Sequence, residues 1–321
     1  MTSTAATAGW RDYLSLARLD HATKHVFILP GILLAILLRG APVEAFWANL
    51  ILGMAAAVCI ASANYVVNEW LDRDFDAHHP KKSARSSVRL PLDPRRVWAL
   101  YAAFLIAGLA LAAAVNGPFL AVAAVFAAMG VIYNVEPLRS KDRAVVDVLS
   151  EAVNNPLRLM LGWAMADPAT LPPASLLLGY WFGGAFLMNA KRLSEYRDLT
   201  ASVGKAQLVR YRRSFAFYTE NRLLTACLLY AMFCGSFTGV FLIKYRPEYA
   251  LFLPFLGLLF AVYFGLSLRP GSIAQEPERT FRSRPLMLAT GAAGAVFLLL
   301  TFIDIPAVDA LSDQRFIRLD R

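Results

Sequence analysis

No charged residue occurs from Ala45 through Asn68, a run long enough to cross a bilayer as a helix. Four acids then follow at once: Glu69, Asp72, Asp74 and Asp76. Apolar runs of similar length recur along the 321 residues. In lipid each run must satisfy its own backbone hydrogen bonds, and a helix does so. Composition agrees: 58% of residues are hydrophobic and 17% charged, where an ordinary soluble domain is about 25% charged. The net charge of +9 does not point to nucleic acid. The bases sit in connections beside apolar spans, where membrane topology and phosphate-bearing ligands account for them. Cys59, Cys227 and Cys234 fall in apolar runs without metal-type spacing and read as buried thiols.

The expected fold is an all-α integral membrane bundle of nine transmembrane helices, at 25–39, 46–70, 97–115, 118–135, 145–165, 174–190, 222–243, 249–268 and 286–304. It forms one domain over 1–321, with a lead-in at 1–24 and a tail at 305–321. No cleavable signal stands out, and the lead-in reads as an amphipathic cytoplasmic segment. Asn116-Gly117-Pro118 separates the third span from the fourth. With the N-terminus cytoplasmic, the inner connections 1–24, 71–96, 136–144, 191–221 and 269–285 hold 24 of the 32 Lys and Arg residues, against six outside. That asymmetry sets the expected orientation in an inner (plasma) membrane. It also puts the polar mouth of the bundle on the cytoplasmic side. The two long inner connections follow the second and sixth spans, which hints at a four-helix repeat.

Asn68, Asp72 and Asp76 are four residues apart and share one helix face, with Asn64 one turn deeper. Glu69 and Asp74 project elsewhere. Two carboxylates one turn apart repel unless a cation lies between them. Mg2+ suits them, because it takes hard oxygen ligands and shares one or two carboxylates with substrate phosphates. Asn68, Asp72 and Asp76 are therefore the candidate metal ligands. His78 and His79 are adjacent and project apart, which disfavours zinc. The basic run that follows offers Lys81, Lys82 and Arg85 to a diphosphate held by the metal. The bland alternative is a solvated helix end paired with Arg73, Lys81 and Lys82. It leaves unexplained why acids sit at an unfavourable helix C-terminus and why Asn64 and Asn68 sit in an apolar span.

Asn68-Glu69-x-x-Asp72-x-x-x-Asp76 resembles the N-D-x-x-D-x-x-x-D motif of the UbiA-type intramembrane prenyltransferase superfamily, with Glu69 in place of the first Asp. "YNVEPLRSK" (133–141) is similar to that superfamily's stretch after the fourth span, and it adds Tyr133 and Arg139 as substrate-binding candidates. The resemblance implies a Mg2+-held diphosphate at the cytoplasmic mouth and attack by an acceptor on the carbon that bears it. Asp72 and Asp76 would be catalytic as well as metal-binding.

The second motif departs from the prenyl-transferring pattern. "NAKRLSEYRD" (189–198) brings Lys191 and Arg192 together with Glu195 and Asp198. This resembles the branch that makes decaprenyl-phosphoribose, as does "RLDHATKHVFILPG" (18–31), which contributes Lys24. That branch implies phosphoribosyl pyrophosphate as donor and a polyprenyl phosphate as acceptor. Lys191 and Glu195 become catalytic candidates, and Arg192 and Asp198 substrate-binding ones. Arg158, a charge inside the fifth span, is a candidate for the lipid phosphate. Its alternative is a structural pairing with Asp147 or Glu151. Prenyl transfer from a diphosphate to an aromatic or other lipid acceptor stays open. So do a transporter, whose site would lie at the midplane, and a scaffold. Small residues in the spans permit close packing within the bundle or between copies, so a homo-oligomer also stays open.

Overall fold

A computed structural model describes residues 8–40, 42–275 and 282–308. Arg279 and the C-terminal Arg315, Arg318 and Arg321, counted in the topology above, lie outside these residues. Among them the chain is helical, with no strand. The short N-terminal α1 (Trp10–Ser15) is followed by α2 (Leu29–Arg39) and α3 (Phe46–Leu71). Two short helices, α4 (Arg73–Asp76) and α5 (Ser86–Arg89), lead to α6 (Pro94–Val115) and α7 (Gly117–Asn134). Then come α8 (Val146–Ala152), α9 (Asn154–Ala166), α10 (Ala174–Tyr211), α11 (Glu220–Tyr245), α12 (Leu253–Ser267) and α13 (Arg284–Phe302).

Local sequence explains most boundaries. Asn116 caps α7 by accepting from the Phe119 N–H at 2.8 Å, with Pro118 in the first turn. Asp93 caps α6 in the same way, accepting from Arg95 N–H at 2.9 Å ahead of Pro94. Thr219 caps α11. Among the described residues six helical stretches are long and apolar enough to cross a membrane: 46–71, 94–115, 117–134, 220–245, 247–267 and 284–302. Their outward faces carry bare apolar side chains such as Ile106, Leu258, Leu288 and Phe302, as a lipid-facing perimeter requires. The chain is a multi-pass integral membrane protein.

The other three predicted spans are helical but less regular. The first is a 3-10 turn from Leu19 to Ile28 before α2 begins. The fifth splits at Val153, because Pro156 has no N–H to donate four residues back. The sixth does not end at 190. Helix α10 runs on to Tyr211, with one break at Gly204 (φ +80°), so the expected loop over 191–221 is helix for most of its length. A helix end had been read from the end of apolarity, but polar residues do not stop a helix, and no Gly or Pro occurs between Asn189 and Val203.

Two close crossings position the polar residues. A Cβ on Gly162 of α9 would meet the Ile28 carbonyl at 2.1 Å, and one on Gly31 of α2 would meet the Leu159 carbonyl at 2.0 Å. A Cβ on Gly130 of α7 would meet Asn64 Oδ1 of α3 at 1.9 Å. Only glycine lets these backbones approach so closely. Cys59, Cys227 and Cys234 are free thiols; the last two are buried and Cys59 is half-buried.

Candidate active site

Most of the candidate residues gather at one end of the bundle. Helix α3 ends at Asp72, whose backbone (φ −97°, ψ −2°) joins it to α4. The row survives this joint, since Asp76 N–H donates to the Asp72 carbonyl at 2.7 Å. Asn68 Nδ2 donates to Asp72 Oδ2 (3.3 Å) and to Asn134 Oδ1 (2.6 Å). Asp72 Oδ1 pairs with Arg139 (2.8 Å) and Lys141 (2.5 Å). Burial alone would raise the Asp72 carboxyl, but Lys141, Arg212 and Arg139 outweigh it and hold the group below its ordinary value. Asp76 is 2% exposed and pairs with Arg85 (2.6 Å) and Lys82 (3.9 Å).

Two expectations are corrected here. Glu69 does not project away from the cluster. It is buried and takes the same Arg85 guanidinium (3.3 Å) that holds Asp76, with Arg18 at 3.6 Å. The acids are also not paired as a solvated helix end would pair them. Only Asp74, exposed and 3.7 Å from Arg73, follows that pattern. Lys82 donates to the Tyr211 hydroxyl and lies 4.6 Å from the Tyr211 ring centroid. Burial acts against its charge, yet Tyr211, Asp76 and Glu195 raise it above an ordinary lysine. Lys81 is exposed.

The second cluster is built around a base. Arg192 is 1% exposed. Its guanidinium reaches Glu195 (2.8 Å), Asp147 (3.3 Å) and Glu151 (3.4 Å). Tyr133 donates to Glu151 at 2.6 Å and accepts from Arg212 at 3.2 Å. Asp147 is wholly buried and also accepts from Tyr218 (2.5 Å) and Ser214 (3.0 Å). Lys191, half-buried beside this group, makes no ion pair or hydrogen bond among the described residues. Burial pushes its ammonium down to about 8, against the pull of Glu195 and Glu151. Asp198 lies apart, bonded to Gly271 N–H (2.9 Å) and Gln275 (2.7 Å). Arg158 pairs with neither Asp147 nor Glu151. It is buried, with its guanidinium carbon 5.2 Å from the Phe126 ring centroid. Lys24 lies against Tyr65, its ammonium 5.4 Å from the ring centroid.

The donors at the end of α3 fit a hard divalent cation: carboxylate and amide oxygens one turn apart, with no thiolate near. His79 is no competitor, since its Nδ1 accepts the backbone N–H groups of Lys81 (3.1 Å) and Lys82 (3.2 Å). Burial, then Lys82, lowers its imidazole to about 4 and keeps it neutral. Among the described residues no group of three or more His, Cys, Asp or Glu side chains is arranged to hold a metal ion by itself. A metal here must complete its shell from phosphate and water, which is the habit of Mg2+.

The pattern of the UbiA prenyltransferase family matches residues 28–290. The chain belongs to the UbiA prenyltransferase family. Its members are transferases, so this chain is an enzyme of the membrane. A UbiA homologue from Archaeoglobus fulgidus, solved with GPP and Mg2+, superposes with TM-score 0.66 at 20% identity, covering 94% of this chain and 99% of that one. A UbiA homologue from Aeropyrum pernix K1 gives TM-score 0.59 at 19% identity over 88% and 99%. The 4-hydroxybenzoate octaprenyltransferase of Aeromonas salmonicida (strain A449) is 30% identical over 117 residues, 36% of this chain. The match spans only 39% of that relative's length.

Residues missed in the sequence were signalled only weakly. Lys141 stood at the end of "YNVEPLRSK", and Tyr211 and Arg212 in the basic run "KAQLVRYRR". Asn134 stood in the same stretch as Lys141. Asp147 stood only as an alternative partner of Arg158; the fold places it against Arg192 instead.

Proposed function

We propose that the chain is a Mg2+-dependent transferase that displaces pyrophosphate from a diphosphate donor, with phosphoribosyl pyrophosphate as donor and a polyprenyl phosphate as acceptor. The observation that carries this reading is the inversion at α10. A prenyl-type site would set a second acid pair opposite the first. Here Glu151, Glu195 and Asp147 are occupied by Arg192, while Lys191 makes no ion pair or hydrogen bond among the described residues. Lys191, beside that closed cluster, is left to an anionic group such as the phosphate this donor carries besides its diphosphate.

In this reading Asn68, Asp72 and Asp76 hold the Mg2+, which when bound neutralises charge developing on the leaving diphosphate. Arg139, Lys141, Arg85 and Lys82 pair with the acids, and with the acids holding a metal they would be available to the diphosphate oxygens. A phosphate oxygen of the acceptor attacks C1 of the ribose. The C1–O bond to pyrophosphate breaks, and pyrophosphate leaves with the electron pair. The acceptor phosphate is already anionic, so no general base is needed. Lys191 and Glu195 flank the reacting end, and Tyr133 and Arg192 fix the wall behind it. The nine-span topology, the cytoplasmic N-terminus, the cytoplasmic mouth in an inner membrane, and a single domain over the whole chain belong to the same proposal.

Prenyl transfer to an aromatic or lipid acceptor is the second reading. It is favoured by family membership and by the homologues bound to GPP or DMAPP with Mg2+. The experiment is to incubate membranes containing the protein with Mg2+, polyprenyl phosphate and labelled phosphoribosyl pyrophosphate. Label entering the lipid supports the first reading. Label staying aqueous while an isoprenyl diphosphate is consumed supports the second.

A further inference from the structure

We infer that Arg158, Lys24 and His25 form a second anion subsite, deeper than the carboxylate cluster, that takes the phosphate monoester of a substrate. The inference rests on the transfer reading above and extends it to where the second phosphate sits. Arg158 is 8% exposed and His25 is 6% exposed. Arg158 Nε and His25 Nδ1 are fully buried with no hydrogen-bond partner. Among the described residues Arg158 makes no ion pair and no hydrogen bond at all. A buried guanidinium without an anion is costly, because desolvation is not offset by pairing. An acid to neutralise it is close in sequence, yet Glu151 is committed to Tyr133 and Arg192.

The fold brings these groups together. The reciprocal contacts of Gly31 with Leu159 O and of Gly162 with Ile28 O press the start of α2 onto α9. His25 and Lys24 are thereby carried to the Arg158 side of the bundle. The walls are aromatic: Tyr65 under Lys24, Phe126 under Arg158, and Tyr180, whose hydroxyl donates to Phe27 O at 3.2 Å. Tyr65 lies one turn from Asn68 on α3, which sets the subsite about one helical turn deeper than the proposed diphosphate site. A phosphate monoester, with a charge of about −1.5 to −2 at neutral pH, matches the two cations Arg158 and Lys24, with the His25 imidazole beside them. Such a group could be the 5-phosphate of a sugar donor or the headgroup of a lipid phosphate.

The test uses the full chain in detergent with Mg2+ and three probes: pyrophosphate, ribose 5-phosphate and geranyl phosphate. Binding is read by titration calorimetry for wild type, Arg158→Gln, Arg158→Lys and Lys24→Gln. At least one monoester is expected to bind wild type and to lose about tenfold or more in affinity in Arg158→Gln. Pyrophosphate affinity is expected to hold, and Arg158→Lys to recover part of the loss. Loss for ribose 5-phosphate assigns the subsite to the donor, and loss for geranyl phosphate to the lipid. Lys24→Gln carries the same comparison should Arg158→Gln fail to fold. The subsite is overturned if neither monoester binds wild type, or if the folded variants lose less than about twofold. Failure of pyrophosphate to bind wild type contradicts the transfer reading instead, and the monoester comparison still decides the subsite.

Discussion

The end of α3 and the middle of α10 are opposites built from the same residue types. At α3 the acids Asp72 and Asp76 stand at the centre, and Arg85, Arg139, Lys82 and Lys141 reach in from connections. At α10 a single base, Arg192, stands at the centre and the acids Asp147, Glu151 and Glu195 surround it. An acid-centred cluster can exchange its cations for a metal and hand them to an anionic ligand. A base-centred cluster closed by three carboxylates has nothing to exchange. The first is suited to chemistry and the second to holding α8 and α10 in place.

Removing the centre of each cluster should therefore fail in different ways. Arg192→Leu leaves buried carboxylates unpaired and should cost about 3–5 kcal/mol of stability. The check is a large fall in the thermal unfolding midpoint in detergent. A variant as stable as wild type breaks the contrast. Asp72→Asn should keep the unfolding midpoint near wild type and lower the transfer rate by about a hundredfold or more, the scale of a lost electrostatic contact to the reacting groups.

Smaller effects sharpen the picture. With the Lys191 ammonium at about 8, its charge is present below that pH and lost above it. A step that needs the charge should slow by about tenfold per pH unit above 8. Lys191→Arg, which stays charged, should flatten the alkaline limb, and an unchanged profile removes Lys191 from the site. Asp198→Asn should change activity by less than about twofold, as a substitution away from the cluster does. A large loss would place Asp198 back among the working residues.

The helices were legible because apolar runs of spanning length leave few alternatives, and the row Asn68, Asp72, Asp76 because a four-residue spacing is a helix face. Other relations were hidden for physical reasons. Asp198 shares the helical register of Lys191, but at about 1.5 Å rise per residue it lies about 10 Å farther along α10. Register alone does not report axial reach. A pairing of Glu151 with Arg158 would cross the boundary between α8 and α9 at Val153, and Glu151 is taken instead by Arg192 and Tyr133. Glu69 joins Asp76 only because the connection from Pro80 to Ser86 folds Arg85 back between them. That closure depends on long-range packing, as do the contributions of Asn134, Lys141 and Arg212.

The most direct test of the central contrast is pyrophosphate release, which does not depend on the donor's identity. Release from phosphoribosyl pyrophosphate or a prenyl diphosphate is measured with lipid acceptor, with and without Mg2+, for wild type and Asp72→Asn at matched unfolding midpoints. The expected result is Mg2+-dependent release by wild type that Asp72→Asn loses while remaining folded. Release by folded Asp72→Asn at the wild-type rate would contradict the assignment of the α3 end as the reactive cluster.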